Sequence, residues 1–63
     1  MKFSDEVKAV RRQLNISQQQ LSRELNVSFA TINRWEGGRT EPQPAIRDLF
    51  YQFCKKKKIK FEE

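Results

Sequence analysis

The sequence has no histidine and one cysteine, and these two shortages narrow its chemistry at once. Without histidine it lacks the side chain that titrates near neutral pH and the commonest metal ligand. Cys54 has no second cysteine with which to form a disulfide, and a lone thiol suits a reducing compartment. Long apolar runs are missing too. The longest, Leu49 to Tyr51, has three residues, far short of a membrane span. The opening "MKFSDEVK" has no apolar stretch of the signal-peptide kind, so the expectation is a cytoplasmic chain with no membrane association. Glycine and proline number two each, and all four fall in "GGRTEPQP", the main loop. No nucleophile stands beside a base, and "GGR" lacks the rest of a phosphate-binding loop. The chain therefore reads as a non-enzyme with no cofactor and no metal.

What is present is a short, basic chain. Its 63 residues make one domain, and 37% hydrophobic residues can build one modest core. With no staple available, that core is expected to come from packed helices. The net charge of +5 divides unevenly, because residues 55–63 carry five lysines and two glutamates, or +3 of it. The natural division is a folded domain over 1–54 and a basic tail over 55–63. The total charge points to a polyanionic partner, but "KKKK" by itself is the kind of run that usually forms a solvated tail. Lysine meets phosphates as a mobile point charge, so Lys55 and Lys56 are expected to add affinity without sequence preference.

Four helical segments can be read. The first starts at about Ser4, a candidate N-cap followed by Asp5 and Glu6, and Val7, Val10 and Leu14 give it a buried stripe before Asn15 stops it. "ISQQQL" sets Ser17 and Gln20 as a capping box, with Ile16 and Leu21 as a hydrophobic staple. "VSFATI" repeats the staple with Val27 and Ile32 around the cap Ser28. The second helix then covers about 18–25 and the third about 29–36. Only Asn26, Val27 and Ser28 separate them, and Asn26 tolerates the left-handed conformation that a reversal needs. Two helices joined so tightly cross steeply, as in a helix-turn-helix. Gly37 and Gly38 end the third helix, and Pro44 suits the first turn of a fourth. There Ile46, Leu49, Phe50 and Phe53 repeat at i, i+3, i+4 and i+7. These stripes predict one core of Val7, Val10, Leu14, Leu21, Leu25, Ile32, Trp35, Leu49, Phe50 and Phe53. Burial is the expected fate of Cys54 on the same helix. "KIKFEE" alternates polar and apolar residues and is expected to be a short strand or a loose arm.

The third helix has two faces. At about 100° per residue, Thr31, Ile32 and Trp35 fall on one side and Phe29, Ala30, Asn33 and Arg34 on the other. Ile32 and Trp35 decide which side faces the core. The outward set has the chemistry of a base reader: arginine for guanine, asparagine for adenine, an apolar group for the thymine methyl. Ala30 leaves room for a close approach.

"QQQLSRELNVSFATINRWEGGR" resembles the helix-turn-helix of the phage repressor and Cro family, also called the xenobiotic-response-element family of bacterial regulators. The resemblance runs from about Val7 to Phe53 and rests on Gln18, Ser22, Leu25, the turn, Ile32, Trp35, Glu36 and the following glycine. Asn26 stands where the family commonly has glycine, and Phe29 where it often has a polar reader. The family implies an all-α bundle of four or five helices that lays helix three in the major groove of double-stranded DNA, usually as a homodimer on a palindromic site. It implies a bacterial or phage-encoded transcriptional regulator. Carried over by residue, Gln18, Arg39 and Thr40 would hold phosphates, and Ser28, Phe29, Ala30, Asn33 and Arg34 would face bases. Arg11 would pair with Glu36. Two alternatives stay open: an antitoxin-like or accessory module whose main partner is a protein, and the DNA-binding part of a longer regulator.

Overall fold

The computed structural model describes residues 2–61, and four α-helices account for most of them: α1 (Phe3–Leu14), α2 (Gln18–Leu25), α3 (Phe29–Glu36) and α4 (Pro44–Lys56). Among the described residues no strand forms. The capping signals sit where local chemistry puts them. Ser17 Oγ accepts the Gln20 N–H at 3.0 Å while Gln20 Oε1 accepts the Ser17 N–H at 2.8 Å, a complete capping box. Ser28 Oγ accepts the Thr31 N–H at 3.1 Å and so opens α3.

Three helix ends use one device. Asn15, Asn26 and Lys58 take the left-handed conformation, with φ of 56°, 57° and 58°. After each, the next N–H returns to the last turn: Ile16 to Arg11, Val27 to Ser22 and Ile59 to Cys54, at 3.1, 2.9 and 2.9 Å. These returning bonds satisfy carbonyls that a helix end leaves orphaned. The helix-turn-helix between α2 and α3 is therefore built by Asn26 and Ser28, one closing a helix and the other opening the next. After α3, Gly38 supplies the positive φ, at 75°.

The core is Val7, Val10, Leu21, Ile32 and Phe50, all fully buried, with Phe3, Trp35 and Cys54 around them. Leu14, Leu25, Phe53 and both staple residues, Ile16 and Val27, pack against it half-buried.

Three expectations are corrected. First, α1 does not start at a Ser4 cap. Its N-cap is Lys2, without a side-chain cap bond, and Phe3 enters the first turn. Starting there buries the Phe3 ring, which meets Trp35 edge-on at 5.4 Å between centroids and Phe50 at 5.0 Å. Burying a phenylalanine stabilises by about 1.5–3 kcal/mol, against about 1 kcal/mol for a serine cap, so the ring decides the helix start.

Second, Leu49 is 53% exposed and does not join the core. Taking Phe50 as the centre of α4, Ile46, Phe53 and Cys54 lie within about 60° of it, whereas Leu49 lies about 100° away. Burying Cys54 turns the helix and pushes Leu49 out.

Third, residues 59–61 form neither a strand nor a loose arm. The left-handed Lys58 folds the chain back so that Ile59 and Phe61 pack against the core. The Gln13 amide then grips the backbone of Lys60, accepting its N–H at 3.0 Å and donating to its carbonyl at 2.5 Å. The last two residues of "KIKFEE" lie outside the described residues. Among those described, no helix is long and apolar enough to cross a membrane.

Candidate nucleic-acid interface

α3 reaches the surface because its two ends are fixed independently. Ser28 caps its start, and Ile32 and Trp35 anchor one side in the core. Rotation about the helix axis is then settled, and Phe29, Ala30, Asn33 and Arg34 are all exposed on the opposite side. Phe29 keeps 53% of its surface open, a large apolar ring with no cover of its own. Ser28 is also exposed, but its hydroxyl is engaged twice, capping Thr31 and bonding Thr31 Oγ1 at 2.8 Å. Arg39 and Thr40 are exposed in the loop that leaves the end of α3.

Beside this face lies a hydrogen-bonded chain that ties three helices together. Arg11 of α1 grips Glu36 at the end of α3 through two parallel bonds, Nε to Oε2 at 2.5 Å and Nη2 to Oε1 at 2.8 Å. Gln18, the first residue of α2, donates from Nε2 to Glu36 Oε1 at 3.2 Å. Asn33 then donates from Nδ2 to Gln18 Oε1 at 3.3 Å. The paired geometry is the strong form of an arginine–carboxylate contact. The Glu36 side chain is 8% exposed and that of Arg11 28%, so water screens the pair only in part. Burial pushes the Glu36 carboxyl up, but the hydrogen bonds from Arg11 and Gln18, with the charge of Arg11, outweigh it and hold its pKa below the ordinary value. Glu36 is thus an anion at neutral pH, and its bond to Arg11 raises the arginine in turn.

The structure therefore brings Arg11, Gln18, Asn33 and Glu36 into one network and leaves Phe29, Ala30 and Arg34 free beside it. Lys55 and Lys56 do not join them. They occupy the last turn of α4, about 17 Å along its axis from Pro44 at its start.

Several side chains had no sequence signal. Arg47 lays its guanidinium over the Phe3 ring at 5.2 Å and pairs with Glu41, bracing the loop before α4. Tyr51 donates its hydroxyl to Glu6 at 2.5 Å, and burial with that bond pushes its pKa up to about 12. The contacts of Arg47 with Phe3 and of Tyr51 with Glu6 join residues far apart in the chain, so neither period nor motif announces them. Among the described residues no three of His, Cys, Asp or Glu gather as a metal-binding set. Burial pushes the Cys54 thiol up to about 12, which leaves it protonated despite the neighbouring lysines.

Known proteins place this geometry. The chain is 40% identical over 60 residues to the type II methyltransferase M.MspI of Moraxella sp, a match that covers 90% of this chain and 13% of that protein. The chain thus spans only a small part of that relative's length. No solved structure matches it significantly. A family model described as helix-turn-helix matches residues 7–46, from the middle of α1 into the first turn of α4. The matched stretch holds the capped α2–α3 turn, both anchors of α3 and all of its outward face, and on that match the chain belongs to the helix-turn-helix family of the phage repressor and Cro type, an all-helical DNA-binding domain.

Proposed function

We propose that the chain recognises a specific double-stranded DNA sequence by laying α3 in the major groove, and that it acts as a bacterial or phage transcriptional regulator in the cytoplasm. The observation that carries this reading is the outward face of α3, where Phe29, Ala30, Asn33 and Arg34 stand exposed opposite the buried Ile32 and Trp35. Arginine and asparagine supply bidentate contacts to guanine and adenine, and Phe29 offers an apolar surface to a thymine methyl. Gln18, Arg39 and Thr40 hold phosphates on this reading. The N–H groups of Gln18 and Gln19, ahead of the capped Gln20, have no intrahelical acceptor and favour an anion at the same place. Two copies on a palindromic site would double the contact, as is usual in the family. The chain works as a binding module and not as a catalyst, with Lys55 and Lys56 adding charge that is indifferent to sequence.

The similarity to a stretch of a much longer methyltransferase favours a second reading, in which this domain is the DNA-binding part of a longer protein. Selection from random duplex DNA, followed by Arg34→Ala, tests the first. Loss of Arg34 should cost about 1–3 kcal/mol at the selected site and relax one base pair, with little change on random DNA. Phe29→Ala should have a smaller effect, confined to a thymine. If no sequence is enriched, or neither Arg34→Ala nor Asn33→Ala reduces the site's advantage, α3 is not the reader and a protein-binding, antitoxin-like role takes its place.

A further inference from the structure

The amide of Gln18 has two ends of opposite sense, and both are engaged. Its Nε2 donates to Glu36 and its Oε1 accepts from Asn33. That order is dictated. Glu36 is a carboxylate gripped by Arg11, and a carboxylate offers acceptors only. It therefore demands the NH2 end of Gln18, which turns the Gln18 carbonyl toward α3. Asn33 must answer that carbonyl with its own NH2. Heavy-atom positions alone cannot tell the two ends of an amide apart, but here the charge at one end of the chain fixes every link.

We propose that Gln18 is a specificity-determining positioning residue, which orients the Asn33 amide so that it presents Oδ1 and one N–H to the base edge. The proposal rests on α3 being the recognition helix. Adenine shows an N7 acceptor and an N6 donor in the major groove, which matches one N–H and one carbonyl oxygen. Turned the other way, Asn33 would spend its carbonyl on α2 and show two N–H donors outward, the match for the O6 and N7 acceptors of guanine. One carbonyl on α2 thus decides between two bases. Gln18 keeps a second N–H, so a phosphate contact and the positioning role coexist.

The test compares the full chain with Gln18→Met, Gln18→Lys, Asn33→Ala and Arg34→Ala in selection from random duplexes, with thermal melting of each. The native chain should favour adenine at one position. Asn33→Ala and Gln18→Met should both erase that preference, a loss of about 5- to 150-fold, and should leave intact the position that Arg34→Ala relaxes. Gln18→Lys is a donor only. It satisfies Glu36 and draws the Asn33 carbonyl inward, so the preferred base should change from adenine to guanine. A merely structural defect lowers binding at every position and cannot exchange one base for another. Should Gln18→Met not fold, the base change in Gln18→Lys carries the test. If Asn33→Ala erases a preference that the folded Gln18 variants keep unchanged, the positioning role is overturned and the recognition helix stands. If neither Asn33→Ala nor Arg34→Ala alters any position, the recognition-helix reading falls, and the positioning role with it.

Discussion

Replacing Arg11 by methionine keeps most of the apolar stem and removes the guanidinium, which leaves the Glu36 carboxylate with only the 3.2 Å bond from Gln18. The cost can be bracketed. Losing one partner of a fully buried pair costs about 3–5 kcal/mol, and coupling in an exposed pair is about 0.2–1 kcal/mol. Glu36 at 8% exposure lies near the first limit and Arg11 at 28% nearer the second, so about 2 kcal/mol is expected. For a domain of this size each kcal/mol moves the melting point by roughly 4–8 °C, or roughly 8–16 °C in all. Urea and thermal denaturation followed by circular dichroism, on Arg11→Met, Glu36→Gln and the double variant, isolates the pair. Coupling of about 1–2 kcal/mol is expected. Its pH dependence follows from the lowered carboxyl of Glu36. The stabilisation is complete above the ordinary value of 4.5 and is lost as pH falls through the lower folded value. The gap between the native chain and Arg11→Met should therefore close on acidification below that point. Coupling under about 0.3 kcal/mol, or a gap that widens in acid, would refute the reasoning.

The start of α1 is tested by Phe3→Ala against Ser4→Ala: the first should destabilise by about 3 kcal/mol and the second by under about 0.5 kcal/mol, and equal losses in denaturation curves would restore the serine cap. Deleting residues 59–63 removes Ile59, Lys60 and Phe61 from the core and from Gln13, so the melting point should fall even without DNA. An unchanged melting point would show that this segment adds no stability. Lys55→Ala with Lys56→Ala should instead weaken specific and random duplexes alike and flatten the salt dependence, and a loss confined to the specific site would give these lysines a different role. Cys54, raised to about 12 from 9.0, should alkylate about a thousandfold more slowly in the folded chain than in urea near pH 8, and comparable rates would show it exposed.

What the sequence determined by itself was what four or five neighbouring residues can decide. Ser17 and Gln20 cap each other, Asn26 turns the chain, Ser28 opens α3, and Ile32 with Trp35 chooses which side of α3 faces out. These interactions close within a helical turn or two, so their spacing is visible before anything folds. Tertiary structure decided whatever required distant residues to meet. Phe3 found Trp35 and Phe50, and that meeting overrode the serine cap. Cys54 took a place in the core and rotated Leu49 into solvent, because a helix can turn its buried centre by part of a residue step without changing its pattern. Gln13 fastened a tail that looked free. The polarity of Asn33 passed from Arg11 through Glu36 and Gln18, three helices that only packing brings within hydrogen-bond reach. Local spacing could place Asn33 on the surface. Which way its amide faces depends on a charge 22 residues earlier in the chain, and only the fold delivers it.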